Sequence, residues 1–160
     1  MRISLFAVGR LKSGPEKDLA SRYLERFSKA GPAVGLEFLR LIEVPESRAS
    51  NADTRKKEEA ANLQKSLPEG GLLVLLDERG KSLDSESFAQ MIGRFNDSGK
   101  RDMLIAIGGA DGLDPELQSR ADAVVNLGIM TWPHQLVRIL IAEQLYRAVT
   151  IIAGHPYHRA

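Results

Sequence analysis

The stretch Leu72-Leu73-Val74-Leu75-Leu76 decides the fold class, because an unbroken apolar run of this length is typical of a strand buried on both faces. A second run, Met103-Leu104-Ile105-Ala106-Ile107, repeats the pattern and ends at a pair of glycines. Strands that are buried on both faces occur mainly in parallel sheets covered by helices. The two runs therefore predict an α/β protein with a mostly parallel sheet flanked by helices.

Helical patterns alternate with strand patterns along the rest of the chain, as in α/β folds. No composition shift or linker divides the 160 residues, so we expect a single domain over 1–160. A polar loop is predicted from Asp77 to Ser82. The predicted strands are Arg2–Val8, Leu36–Val44, Leu72–Leu76, Met103–Ile107 and Ala123–Leu127, and the predicted helices run from Ser13-Pro15 to about Lys29, over Asp53–Ser66 and Asp84–Phe95, briefly after Asp114-Pro115, and from Pro133 to about Ile152.

Composition excludes several classes of protein. No apolar run reaches the roughly 18 residues that a membrane span requires. The absence of cysteine excludes a disulfide scaffold, a thiolate nucleophile and a cysteine-based zinc site, and it suits the cytoplasm. A net charge of +1 is not that of a protein that coats nucleic acid, so any RNA contact requires basic residues gathered locally.

Three strand ends are rich in glycine and polar residues, and ligands of open α/β sheets bind beyond such ends. Glycine there lets the backbone approach a ligand, although each segment taken singly is better interpreted as a tight turn. Two nucleotide fingerprints fail, because Pro15 stands where a P-loop needs lysine and the Gly108–Gly112 spacing is not that of a Rossmann loop. The three ends are Leu76-Asp77-Glu78-Arg79-Gly80, Gly108-Gly109-Ala110-Asp111-Gly112 and Gly128-Ile129-Met130-Thr131-Trp132-Pro133.

The last helix carries two candidate site residues. Arg138 lies seven residues before Leu145, so its side chain points into the apolar arc of the helix. A guanidinium in that position needs a partner or an anionic ligand. His134 lies one turn earlier on the same side; alone it is read as a cap or surface residue, but the pair favours a site.

The same helix has a polar stripe of only Glu143, Arg147 and Thr150, so its apolar arc is wider than one packed face needs. A second subunit would cover the excess, which favours a homodimer. The alternative is a central helix in a monomer.

The carboxyl-terminal tail combines aromatic, basic and titratable side chains without an acidic residue. Such groups suit base stacking and phosphate contact. A metal site is disfavoured because His155 and His158 have no carboxylate or thiolate beside them. We therefore expect no metal and assign His155, Tyr157, His158 and Arg159 to RNA binding.

Four blocks together resemble one family, the ribosomal RNA large subunit methyltransferase H (RlmH) family of the SPOUT superfamily. The resemblance covers the whole chain and is most specific in its last third. Ala110-Asp111 stands where Pro-Glu is usual, and Trp132 where Leu is common. The blocks are Gly108-Gly109-Ala110-Asp111-Gly112-Leu113, Trp132-Pro133-His134-Gln135-Leu136-Val137-Arg138, Ala142-Glu143-Gln144-Leu145-Tyr146-Arg147-Ala148 and His155-Pro156-Tyr157-His158-Arg159.

The resemblance implies a carboxyl-terminal trefoil knot, a homodimer, and methylation of pseudouridine N3 in 23S ribosomal RNA within the assembled ribosome. It implies S-adenosyl-L-methionine as cofactor. The cofactor contacts carried over by position are Leu76, Gly108, Leu127, Gly128, Ile129, Met130, Thr131 and Trp132.

Catalytic roles are expected at both ends of the last helix. His134 and Arg138 would orient the base or stabilise its imide anion, while Tyr157 or His158 would assist proton removal. Arg147 joins the tail in binding RNA. Two other classes stay open: a non-catalytic ribosome-binding factor, and an enzyme of small phosphorylated metabolites with Arg138 as the anion clamp.

Overall fold

The fold is organised on a parallel sheet. The computed structural model describes residues 1–157, and within that range five strands pair in the order β2-β1-β4-β3-β5. The strands are β1 (Arg2–Val8), β2 (Glu37–Val44), β3 (Leu72–Ser82), β4 (Asp102–Ile107) and β5 (Ala123–Asn126), and the helices are α1 (Pro15–Ala30), α2 (Ala52–Ser66), α3 (Ser85–Asp97) and α4 (His134–Ile152), with short 3-10 helices at Gly31–Val34 and Pro115–Arg120. The predicted α/β class is confirmed.

α2 and α3 begin at capping side chains, whereas α1 and α4 begin without one. Asn51 accepts a hydrogen bond from the Thr54 N–H at the start of α2, and Asp84 accepts one from the Ser87 N–H at the start of α3. Such caps satisfy N–H groups that have no partner inside the helix. The predicted helices consequently begin within one or two residues of the observed ones.

Two apolar layers cover the sheet. β1 alternates between them: Leu5 packs with α1, α3 and α4 on one face, whereas Phe6 packs with Ala60 and Leu63 of α2 on the other. All four side chains are at most 7% exposed, as expected for strands at the centre of a parallel sheet.

α4 packs against both α1 and α3, and Ile141, Leu145 and Val149 are fully buried. These contacts account for the wide apolar arc of α4 within one chain. The arc therefore gives no support to a dimer, and a dimer needs other evidence.

The segment Asp77–Ser82 is strand rather than the predicted polar loop. β3 continues through it with a shift of register, and Lys81 then pairs with Val125 of β5. A Cβ on Gly80 would lie 2.7 Å from the backbone of Val124 and Val125, so only glycine permits this approach. The prediction was wrong because backbone pairing does not require apolar side chains.

No helix within residues 1–157 is long and apolar enough to cross a membrane.

Candidate functional site

A cavity of about 500 Å³ opens at the carboxyl ends of β3, β4 and β5, where an open α/β sheet binds its ligands. Its volume lies in the range of small-molecule sites. The walls come from the end of β3, the glycine loop 108–113 after β4, and the loop 127–133 that leads into α4.

The predicted cofactor residues converge on this cavity with one exception. Leu76, Gly108, Leu127, Gly128, Met130, Thr131 and Trp132 line it. Ile129 does not, because its side chain is 99% exposed and points away from the protein. Ile129 is thus the one predicted cofactor residue that does not line the cavity, and its contact with the cofactor stays a prediction.

The glycines that follow β4 expose their main-chain atoms at the cavity wall. A Cβ on Gly108 would lie 2.9 Å from the carbonyl carbon of Gly112 and 3.1 Å from the amide nitrogen of Leu113, both of which are backbone atoms. The loop folds back on itself through a hydrogen bond from the Gly112 N–H to the Gly109 carbonyl, 3.0 Å long. The segment is therefore a tight turn, and its backbone also lines the cavity.

The outer side of the glycine loop is tied to α2. The Arg55 guanidinium donates to both carboxylate oxygens of Asp111, at 2.6 and 3.0 Å, and these bonds hold the pKa of Asp111 below its usual range. The Asp111 carboxylate thus provides the acceptor that fixes the outer side of the loop to Arg55 of α2.

A buried carboxylate lies beneath the same loop. Glu59 Oε2 is 3.2 Å from the position of a Cβ on Gly109, and Glu59 Oε1 accepts the Ser47 N–H. Glu59 is 7% exposed, and burial raises its pKa despite that hydrogen bond. Sequence reasoning missed this residue, because a glutamate in a helix of mixed charge carries no sign of burial.

The loop 127–133 is fixed where it leaves β5. Asn126 Oδ1 accepts the Gly128 N–H at 2.8 Å, and Asn126 Nδ2 donates to the Glu78 carbonyl at 3.2 Å. Gly128 has φ of +115°, which favours glycine. Asn126 therefore connects the two walls of the cavity.

Asp77 and Arg79 form a further pair at the cavity edge. Burial alone would raise the pKa of Asp77, but hydrogen bonds from the side chain and the backbone N–H of Arg79 outweigh it and lower that pKa. The sequence indicates only that Asp77 and Arg79 belong to a polar strand end, and it does not predict that they pair.

His134 lines the cavity, and Arg138 does not. Arg138 is 2% exposed and donates to Glu43 Oε1 at 2.5 Å and to the carbonyls of Val8 and Gly9 at 2.9 and 2.7 Å. The buried guanidinium is thus paired with groups of its own chain. These contacts do not test the predicted role of Arg138 in orienting the substrate or the alternative of an anion clamp, and both stay predictions.

The tail residue Tyr157 packs on α4. Its ring centroid is 4.9 Å from that of Tyr146, Arg147 lies over its face at 5.1 Å, and its hydroxyl is 3.4 Å from Glu143 Oε1. Burial and the nearby Glu143 carboxylate raise the pKa of Tyr157, so the hydroxyl stays protonated at neutral pH.

The tail and the cavity are separated along α4. Glu143 lies nine residues beyond His134, which is about 13 Å along a helix. Arg147 pairs with Glu143 at 2.6 Å, and neither Arg147, His155 nor Tyr157 lines the cavity. His158 and Arg159 lie outside the described residues. Between Met1 and Tyr157, no group of three or more histidine, aspartate or glutamate side chains is placed to hold a metal ion.

Comparison with known proteins identifies the family of this chain. The family model described as "Predicted SPOUT methyltransferase" matches residues 1–158. The chain is 78% identical to the ribosomal RNA large subunit methyltransferase H of Sinorhizobium fredii and 76% identical to that of Rhizobium meliloti, over 160 residues and the full length of each protein.

Among solved structures, a probable methylase family protein from Haemophilus influenzae superposes with a TM-score of 0.51 at 13% identity. The match covers 99% of this chain and 70% of that protein, and it supports the fold alone. The full-length sequence identity goes further than the fold: the chain belongs to the ribosomal RNA large subunit methyltransferase H family of SPOUT methyltransferases.

Proposed function

We propose that this methyltransferase transfers a methyl group to N3 of a pseudouridine in 23S ribosomal RNA, acting on the assembled ribosome in the cytoplasm. The observation that carries the proposal is the cavity at the strand ends, walled by backbone on the glycine side and lined by the residues that the family resemblance assigns to the cofactor. SPOUT methyltransferases use S-adenosyl-L-methionine as the methyl donor.

The residues present fit this cofactor. Because Gly108 has no side chain, a ligand can approach the backbone there. The side chains of Leu76 and Leu127 supply apolar contact, and the loop that ends at Trp132 forms the opposite wall. An adenosine needs such apolar surfaces together with a few backbone hydrogen bonds. When bound, the cofactor supplies a methyl group already activated on a sulfonium, so the protein's tasks are alignment and handling of the N3 proton.

His134 is proposed to orient the acceptor base or to stabilise its imide anion, because it is the histidine at the cavity wall. Arg138 contributes indirectly by holding the start of α4 on the ends of β1 and β2. Tyr157 is assigned to placement of the tail, since a phenol with a raised pKa is a poor base near neutral pH. Proton removal by His158 stays a proposal.

RNA contact is proposed for the tail, through Arg147, His155, Tyr157, His158 and Arg159. A tail anchored about 13 Å along α4 from His134 is poorly placed to serve the cavity of its own chain. We therefore propose a homodimer in which the tail of one copy faces the cavity of the other. The exposed side chains of Ile129, Met130 and Trp132 offer apolar surface for that association.

The chain is proposed to form one domain with a trefoil knot in its last third. The loop 127–133 leaves β5 at one side of the sheet, and α4 is fastened by Arg138 to β1 and β2 at the other. The segment must therefore pass the ends of β3 and β4. Knots are rare in proteins, which makes this route a specific expectation.

The decisive experiment incubates the protein with labelled S-adenosyl-L-methionine and ribosomes that lack the modification, followed by nucleoside analysis. We expect label in 3-methylpseudouridine, with His134→Ala lowering the rate by about 10²-fold or more, the usual range for lost acid–base or orienting groups. Ribosome binding without transfer would instead indicate a non-catalytic binding factor. Transfer to small molecules in preference to ribosomes would indicate a metabolic enzyme.

A further inference from the structure

A second groove, of about 720 Å³, lies along the outer side of β5 next to α3. We call it the edge groove. Its basic lining residues are Arg79 and Lys81 from the end of β3 and Arg94 from α3. The cofactor cavity and the edge groove share Arg79 and Val125 in their linings, so they are contiguous.

The positive charge of the edge groove is largely uncompensated. Lys81 and Arg94 are exposed and make no ion pair with any residue from Met1 to Tyr157. Arg79 is paired with Asp77, but its side chain is 56% exposed. The lining also contains one carboxylate, Asp122, which accepts the Leu73 N–H at 2.8 Å and keeps its charge, so three cations face one anion there. In a chain whose net charge is only +1, this is a local gathering of cations beside the site.

The backbone fixes the segment of β3 that lines the edge groove. Arg79 and Lys81 are two residues apart in β3, and both line the edge groove. Gly80 between them lies against β5 so closely that a Cβ would be 2.7 Å from the Val124 and Val125 backbone. The segment that carries Arg79 and Lys81 is therefore packed directly against the backbone of β5 and cannot move closer to it.

We infer that the edge groove binds the sugar–phosphate backbone of the RNA substrate and guides it toward the cofactor cavity. The inference rests on the proposed function for the identity of the RNA. Phosphates match the charge of the groove, and the hydroxyl and amide of Ser87 and Gln90 in its lining can donate to phosphate and ribose oxygens. Such contacts position RNA without reading its sequence.

The competing occupant is a second copy of this chain, because β5 ends the sheet and one side of its backbone has no strand partner within residues 1–157. Charge argues against it. Two identical grooves that met across a symmetric interface would bring their basic side chains together.

The test measures binding of large ribosomal subunits without any methyl donor, as a function of salt. The variant Lys81→Gln/Arg94→Gln removes two cations at the edge groove. The matched control, Lys100→Gln/Arg101→Gln, removes two exposed cations that lie just before β4, at the opposite end of the strands. Each lost phosphate contact lowers the slope of log K against log salt by about 0.7 to 1.

We expect the groove variant to bind severalfold more weakly with a slope reduced by between one and two, and the control to match wild type. Equal slopes for the groove variant and wild type would overturn the inference, as would an equal reduction in the control. A halved mass of the groove variant by light scattering would assign the groove to a protein interface instead. If wild type binds through the groove but methylates nothing, the proposed reaction fails while the groove assignment stands.

Discussion

Arg138 Nη1 lies 2.5 Å from Glu43 Oε1, and this pair fastens the start of α4 to the end of β2 across 95 positions of sequence. The same guanidinium donates to the carbonyls of Val8 and Gly9 at the end of β1. One side chain thus sets where α4 begins relative to the sheet, and with it the position of His134 at the cavity.

Removing the Arg138 guanidinium should be costly. Arg138→Met removes the cation that pairs with Glu43 and leaves the Val8 and Gly9 carbonyls without the guanidinium donor, and the expected loss in the free energy of unfolding is about 3–5 kcal/mol, as for other broken buried pairs. Urea denaturation measures it. Arg2→Gln, which breaks the partly exposed Arg2–Asp102 pair, is the control and should cost far less. Similar losses in both variants would contradict the anchoring role.

Glycine at 108 should be required for cofactor binding. The Cβ of Gly108→Ala would press on the Gly112 and Leu113 backbone, so the loop must shift and the affinity for S-adenosyl-L-methionine should fall at least tenfold by calorimetry. Gly93→Ala is the matched control, because a Cβ there meets nothing within 4 Å and Gly93 lies inside α3. That control should raise stability by about 0.5–1 kcal/mol and leave affinity unchanged. Unaltered affinity in Gly108→Ala would refute the placement of the cofactor.

Glu59 should make stability depend on pH. Burial raises the pKa of this carboxyl, so the folded state binds a proton more readily than the unfolded chain does. The contribution of Glu59 is then favourable below its unfolded pKa and is lost as pH rises through its folded value. Glu59→Gln keeps an acceptor for the Ser47 N–H and removes the buried charge.

We therefore expect Glu59→Gln to be more stable than wild type at pH 7 and to lose that advantage toward pH 4. Thermal unfolding across the pH range measures the difference. Glu58→Gln, at an exposed neighbouring position, controls for the change in net charge. An advantage that persisted unchanged at acidic pH would show that the buried charge is not its cause.

The ring of Tyr157 should matter more than its hydroxyl. Tyr157→Phe keeps the contacts with Tyr146 and Arg147 and loses the hydroxyl's interactions with Glu143, at 3.4 Å, and with Tyr23, so methyl transfer should stay within about threefold of wild type, as for the loss of weak hydrogen bonds. Tyr157→Ala and deletion of Gly154–Ala160 should lower transfer by orders of magnitude with cofactor affinity retained. If Tyr157→Phe were as inactive as the deletion, the hydroxyl would take part in the chemistry.

A homodimer is expected at micromolar concentration, with a mass twice the 17.6 kDa of the chain. Ile129→Glu places a charge where an apolar side chain is 99% exposed, and it should shift the light-scattering mass toward the monomer. Leu39→Glu introduces the same charge at a 42% exposed site on β2 and should leave the mass unchanged. A wild-type mass near 17.6 kDa would count strongly against the dimer.

The fold class and most element boundaries follow from local signals. Leu72–Leu76 is apolar enough to require burial on both faces, and Asn51 and Asp84 each accept a hydrogen bond from an N–H group three residues away. Such interactions are encoded within a few positions of the chain. The loops that wall the cavity were also predicted in this way, because parallel strands place their carboxyl ends along one edge of the sheet.

The sequence by itself determined the fold class, the family and the segments that wall the cavity, since each depends on a contiguous pattern. Only the tertiary structure decided that Arg138 bonds to Glu43 rather than to a ligand, that Glu59 is buried, and that Tyr157 packs on Tyr146. These outcomes depend on partners from distant segments, and a charged or aromatic residue carries the same local signature whether its partner is a ligand, water or its own chain.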